Sequence, residues 1–259
     1  MSNTNKESWN NQAERFYIAG HLEGDLPLDY VDFQGNVFPS DKDLNMIGEV
    51  GGLKVLEIGS GSCNCGIALA KKGADVTCLD ISSEQLKIGQ QVATQEGVKI
   101  KRIESDMTDL SSVESDSMDL IISMSAMPYI EDINKVFKEA NRVLRNNGRI
   151  IFSTEHPFIM CLGATELWPE EKANPSYDYR GPLKWKSKEE DTFYFTTYRR
   201  RLMDYVNGLA HNGFYINRME ELLPKHADPK WGEQEKRIRM RYPSVLVVEA
   251  IKKQGRQKK

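Results

Sequence analysis

The sequence predicts an α/β protein: a doubly wound, seven-stranded, mostly parallel sheet whose last strand runs antiparallel. Three observations carry that expectation. Short apolar runs (Lys54–Ile58, Asp75–Leu79, Met118–Ser123) alternate with stretches of helical period. The first of them passes through a glycine-containing turn, Gly59-Ser60-Gly61, into a helix. After Gly213 the chain reads strand, long polar connection, strand, with no clear crossover helix. An antiparallel pair permits that connection and a parallel pair does not.

The elements follow in order. Ser8–Ala19 has Trp9, Ala13, Phe16 and Tyr17 on one helical face. Gly51-Gly52 punctuates the chain before the strand Lys54–Ile58. Asn64–Lys72 is a helix stopped by Gly73, and Asp75–Leu79 is the second strand. Ser82 or Ser83 caps a helix that runs to Glu96 and ends at Gly97. Val98–Glu104 is a third, more exposed strand and Met118–Ser123 a fourth. Ile130–Leu144 is an amphipathic helix with Ile133, Val136, Phe137, Ala140, Val143 and Leu144 inward. Asn147-Gly148 turns into the fifth strand, Arg149–Thr154. Thr192–Tyr198 is strand-like, Arg201–Asn212 helical, and Phe214–Met219 and Ser244–Ile251 are the closing strands.

These elements divide the chain into an N-terminal lid or substrate segment (1–50), a nucleotide-binding core (51–155) and a substrate-pocket insertion (156–200). Residues 201–251 complete the same sheet, and 252–259 form a basic tail.

The 259 residues are 39% hydrophobic and 28% charged, with net charge −3, which excludes a strongly basic nucleic-acid binder and a disordered chain. No apolar run reaches the roughly 18–20 residues of a membrane span. The start, MSNTNKESWNN, has no apolar core of a secretory signal. Four cysteines make no disulfide framework, so reduced thiols and a cytoplasmic location are expected.

The chemistry concentrates in VLEIGSGSCNCG, residues 55–66. Gly59 and Gly61 allow a tight turn and close approach of a ligand, and the helix that follows offers unpaired N–H groups. Asp80, at the end of the second strand, can accept hydrogen bonds from both ribose hydroxyls of an adenosine cofactor. A dinucleotide fingerprint wants a third glycine where Asn64 stands, and an apolar residue where Glu57 stands. An acid at position 57 suits a cofactor that carries an ammonium. In Glu104-Ser105-Asp106-Met107 an Asp can accept the adenine amino group, with an apolar neighbour against the ring.

With VLEIGSGS, VTCLDIS, ESDM, MDLIISMSAMPYI, NRVLRNNGRIIFS and EHPF in this order, the chain resembles the class I S-adenosylmethionine-dependent methyltransferases, of the small-molecule, methyltransferase type 11-like kind. The resemblance spans roughly residues 51–158 and continues more weakly through RRRLMDYVNGLAHNGFYI. It implies a Rossmann-like methyltransferase fold and S-adenosylmethionine as cofactor, with S-adenosylhomocysteine as product. Glu57, Gly59 and Gly61 are then expected around the methionine portion, Asp80 at the ribose and Ile81 against the adenine. Asp106 and Met107 frame the adenine, and the Ser123 carbonyl faces the amino-acid end or the sulfonium. The chain departs from the family at Cys63, where a third glycine is common.

Other residues admit two readings. Cys63-x-Cys65 lacks the further ligands that zinc requires, so no metal is expected. His156, after the fifth strand, is a candidate base or a structural histidine before a proline turn. Arg199–Arg201 form either a solvated charge run or an acidic-substrate site. Trp168, Tyr177, Tyr179, Trp185, Phe193, Tyr194 and Phe195, with Met127, Pro128, Tyr129, Trp9, Phe16, Tyr17 and Tyr30, are expected to build an acceptor pocket that includes Tyr17, Tyr129 and His156. Methyl transfer to a small molecule is the leading function. A tRNA or other nucleic-acid methyltransferase and an NAD(P)-dependent oxidoreductase are the alternatives, against which net charge and Glu57 respectively speak. A monomer or homodimer without membrane partners is expected.

Overall fold

The computed structural model describes residues 3–23, 27–162, 176–186 and 194–254. Among them seven strands form one sheet. These are β1 (Lys54–Ile58), β2 (Asp75–Asp80), β3 (Lys101–Glu104), β4 (Met118–Met124), β5 (Leu144–Glu155), β8 (Phe214–Leu222) and β9 (Val245–Lys252), in the order β3-β2-β1-β4-β5-β9-β8. A separate hairpin pairs β6 (Pro182–Lys186) with β7 (Tyr194–Tyr198). The helices are α1 (Asn3–Glu23), α2 (Asp41–Leu44), α3 (Asn64–Lys71), α4 (Ser83–Gln95), α5 (Ile133–Val143), α6 (Leu202–His211) and α7 (Glu233–Arg239). Strands β1 to β5 are parallel, and β9 runs antiparallel to both β5 and β8, as the long polar connection after Gly213 predicts. That connection does contain a helix, α7, but at 7 residues it is a short turn of chain rather than a crossover.

Strand alternation sorts the core onto two faces. Val55, Val76, Cys78, Leu120, Ile122 and Ile151 pack against α3 and α4 on one side. Leu56, Ile58, Leu79, Ile121, Ile150 and Phe152 meet α5 and α6 on the other. The segment after α1 joins the first face: Val31, Phe33, Val37, Phe38, Met46, Ile47 and Val50 are buried in it. A boundary at residue 50 therefore does not separate a lid from a core; residues 31–50 are part of the core.

Local rules explain most element ends. Ser82 caps α4 by accepting the Gln85 N–H at 3.2 Å, and Asp132 caps α5 through Asn134. That cap starts α5 at Ile133 rather than Ile130. Strand β3 is shorter than its apolar pattern, and β5 reaches back through the Asn147-Gly148 turn to Leu144.

Helix α1 is longer than its amphipathic stretch and is tied down at three points. The Asn5 side chain pairs with the Thr196 backbone of β7 in both directions, at 2.8 and 2.9 Å. The Ser8 hydroxyl donates to the Tyr194 carbonyl, and Asn10 Oδ1 accepts from the Ser82 hydroxyl at 2.7 Å. The helix thus lies across the carboxyl ends of the strands, between the hairpin and the cap of α4. No helix among the described residues is long and apolar enough to cross a membrane.

Candidate cofactor and acceptor site

After β3 the chain returns to the centre of the sheet, so β1 and β4 flank the point where strand order reverses. Open α/β sheets bind ligands in the crevice at such a point. A cleft of about 340 Å³ lies there, walled by the loops after β1, β2, β3 and β4, by α1 and by the segment 32–35.

Glu57, the penultimate residue of β1, lines this cleft while its carboxylate lies against the first turn of α3. Its Oε2 accepts the Gly66 N–H at 2.9 Å and the Cys78 thiol at 3.5 Å. Cys63, the residue at the helix's N-cap position, supplies no side-chain cap, and Glu57 satisfies that amide instead. A β-carbon at Gly66 would stand 2.7 Å from the carboxylate and 2.6 Å from Cys78 Sγ, so only glycine admits this contact. Burial pushes the Glu57 carboxyl up to about 8, against the opposing pull of the Gly66 and Cys78 hydrogen bonds.

Asp80 closes the turn from the other side. Its Oδ2 accepts the Gly61 N–H and its Oδ1 the Ser82 N–H, each at 2.8 Å. Burial raises its carboxyl above the ordinary aspartate value, while the amides of Ser82, Gly61 and Ile81 pull it back. Gly59, at φ +66°, passes so close to the end of β4 that a β-carbon there would lie 2.4 Å from Ala126 Cβ.

Of the residues singled out in the sequence, Glu57, Gly59, Gly61, Asp80, Ile81, Met107, Tyr17 and Tyr129 line the cleft. Three others do not. Asp106 lies beside it, with Oδ1 accepting the Thr108 N–H and hydroxyl at 2.9 Å each. Ser123 is fully buried, and its hydroxyl has no hydrogen-bond partner among the described residues. His156, just past the carboxyl end of β5, is 5% exposed; its Nε2 pairs with Glu221 at 2.8 Å and its Nδ1 accepts the Phe158 N–H. With Nδ1 an acceptor, the Nε2 proton goes to Glu221, and neither nitrogen is presented to the cleft. The pairing with Glu221 clasps the end of β5 to β8.

The aromatic expectation divides in the same way. Trp9, Phe16 and Tyr17 of α1 line the cleft. Phe195 packs behind Trp9 with centroids 4.8 Å apart, and Tyr129 meets Trp9 at 5.3 Å. Tyr30 instead lies under the Lys42 ammonium, and Met127 is buried in the core. Tyr177, Tyr179 and Tyr194 are exposed. Trp168, Phe193 and the Trp185 side chain lie outside the described residues. Arg200 donates to the carbonyls of Met127, Ile130 and Glu131, so the run is not solvated throughout.

The sequence did not single out Asp32, Gln34, Gln85, Ser105 or Ser125, which also line the cleft. Only Gln85 carried a signal, one turn into a helix capped at Ser82.

The methyltransferase-domain family matches residues 56–152, the stretch that supplies β1 to β5. An uncharacterized methyltransferase of Bacillus subtilis is 40% identical over 116 residues, which is 45% of each chain. An uncharacterized protein of Haemophilus influenzae is 28% identical over 218 residues, 81% of this chain and 85% of that one. The solved structure of an S-adenosylmethionine-dependent methyltransferase from Mesorhizobium loti superposes with a TM-score of 0.65 at 28% identity, over 81% of this chain and 95% of the other. Residues 56–152 carry a methyltransferase domain of the S-adenosylmethionine-dependent kind.

The cleft fits that family's cofactor by its own chemistry. The amino-acid end of S-adenosylmethionine is zwitterionic, and beside Glu57 the buried Asn64 Oδ1 has no hydrogen-bond partner among the described residues. The methyltransferase turn also keeps the backbone path at Cys63. This residue adopts φ +63°, the left-handed conformation that glycine takes without strain.

Proposed function

We propose that the protein transfers the methyl group of S-adenosylmethionine to a small-molecule acceptor held in the aromatic part of the cleft. The placement of Glu57 and Asp80 carries the reading. Two buried carboxylates, each anchored by loop amides, line the same cleft as Trp9, Tyr17 and Tyr129. When bound, S-adenosylmethionine supplies a methyl group on a positively charged sulfur, already activated for in-line displacement.

The residues of this chain divide the remaining work. Glu57 Oε2 holds the Gly66 amide, which leaves Oε1 for the ammonium. A cation at that position favours the ionised carboxylate, so cofactor binding expels the proton that burial retains on Glu57. Asp80, fixed by Gly61 and Ser82, turns its remaining lone pairs to the ribose hydroxyls. Ile81 and Met107 flank the adenine, and Asp106, steadied by Thr108, takes its amino edge. Gly59 and Gly61 let the backbone approach the methionine chain. Ser123 supports this floor from within the sheet.

The acceptor half works by position and by exclusion of water. Helix α1 brings Trp9, Phe16 and Tyr17 over the strand ends, and its ties to Thr196 and Ser82 hold it there. The hydroxyls of Tyr17 and Tyr129 stay protonated, because burial raises both above the ordinary tyrosine value. They orient the acceptor as hydrogen-bonding groups.

The test is methyl-labelled S-adenosylmethionine incubated with the protein and an extract separated by size. Label in the small-molecule fraction is expected. Label confined to nucleic acid or protein contradicts the acceptor class.

A further inference from the structure

The cleft combines aromatic rings with carboxylates. Trp9 stands 5.1 Å from Phe16 and 5.3 Å from Tyr129, centroid to centroid, and all three line the cleft. The charged side chains lining the cleft, among the described residues, are all carboxylates: Asp32, Glu57 and Asp80. Glu57 and Asp80 belong to the cofactor end. Asp32 comes from the segment 32–35, which meets α3 where the Cys65 thiol donates to the Asp32 carbonyl at 3.9 Å; its carboxylate accepts the Gly35 N–H at 2.8 Å and the Gln34 N–H at 3.3 Å. That segment is bound to the end of β4, since the Ser125 hydroxyl donates to the Phe33 carbonyl and contacts Gln34 Oε1.

We propose that the acceptor is a nitrogen base that is uncharged near neutral pH, an aromatic amine or a ring nitrogen, and that it leaves as its methylated cation. The inference rests on the methyl-transfer function proposed above and names the substrate class of that site. Ring faces carry negative potential and attract ammonium groups, most strongly where water is excluded. Carboxylates add to that attraction and repel an anionic acceptor.

The step balances without a proton acceptor. The nitrogen lone pair forms the N–C bond, the C–S bond breaks with its electron pair left on sulfur, and the positive charge passes from sulfur to nitrogen. The cleft holds one positive charge before and after, so the groups that accommodate the sulfonium also accommodate the product. A primary or secondary amine then gives up its extra proton to water after release. An alcohol or phenol acceptor requires a proton to be removed, and both ring nitrogens of His156 are engaged, by Glu221 and the Phe158 amide.

The test uses the full chain loaded with S-adenosylhomocysteine and three probes of matched shape: benzyltrimethylammonium, its uncharged carbon isostere neopentylbenzene, and phenylacetate. Calorimetry is expected to show the cation bound at least about tenfold more tightly than either of the others. Trp9→Ala and Asp32→Asn, the latter keeping one carbonyl acceptor for the loop amides, are each expected to shrink that preference several-fold. Equal affinity for cation and isostere, tighter binding of phenylacetate, or no binding of the cation overturns the inference while leaving methyl transfer intact. Failure of S-adenosylhomocysteine itself to bind is a separate outcome and overturns the function on which the inference rests.

Discussion

The thiol of Cys63 occupies the space that a side chain on Gly89 would need: a β-carbon at Gly89 would stand 2.6 Å from Cys63 Sγ and 2.9 Å from its Cβ. Cys63 adopts the left-handed backbone that glycine takes without strain, φ +63°. Gly89 lies in the middle of α4, a position where glycine ordinarily weakens a helix by about 1 kcal/mol. The two residues are therefore one accommodation. The helix gives up a side chain so that the cofactor turn can carry one.

That relationship predicts a non-additive pair. Gly89→Ala is expected to destabilise the protein by about 1–3 kcal/mol, the usual cost of overpacking, despite alanine's better helix propensity. Cys63→Gly in the same chain is expected to recover part of the loss, since the Ser62 carbonyl would still stand 2.9 Å from the new β-carbon. Urea denaturation of the two single variants and the double variant measures the coupling. A stabilised Gly89→Ala protein is the result that breaks the pairing.

The raised carboxyl of Glu57 links folding to pH. An acid whose pKa goes from its ordinary value near 4.5 to about 8 on folding holds an extra proton in the folded state between those values. Its contribution to stability is thus complete below pH 4.5 and is lost as pH rises to about 8. Glu57→Gln is expected to flatten the stability profile across that window. Cofactor binding to the wild type near pH 7 is expected to release a proton, visible as a binding enthalpy that depends on the buffer. A buffer-independent enthalpy counts against Glu57 as the ammonium partner.

Asp80→Asn keeps one oxygen for the turn amides and removes the charge. It is expected to weaken S-adenosylhomocysteine binding by about 1–3 kcal/mol, the scale of charge-assisted hydrogen bonds at a buried group. Unchanged affinity in a folded variant removes Asp80 from the site.

His156→Ala removes the bonds to Glu221 and to the Phe158 amide. It is expected to lower the melting temperature while leaving the pH dependence of kcat in place. A selective loss of the basic limb of that profile, with unchanged stability, restores His156 as the base.

The sequence made the nucleotide half of the molecule legible and the acceptor half much less so. Strand β1, the glycine turn and Asp80 lie within 27 residues and obey local rules of period, turn and cap, so their places follow from spacing. The antiparallel β9 was legible from the type of connection before it. The position of His156 depends on Glu221, 65 residues away on the edge strand, and no local pattern announces that pair. Asp32 and Gln34 reach the cleft because Val31 and Phe33 are drawn into the core beneath α3, a burial that a mostly polar stretch does not advertise. Strand β6, absent from the sequence expectation, forms by pairing with β7.

The account rests on a cleft built for S-adenosylmethionine, and direct titration tests it most simply. The full chain is titrated by calorimetry with S-adenosylhomocysteine, with NADH as competitor. Saturable one-to-one binding that NADH does not displace and that Asp80→Asn weakens is the predicted result. No binding to the folded protein, or displacement by NADH at comparable concentration, contradicts it.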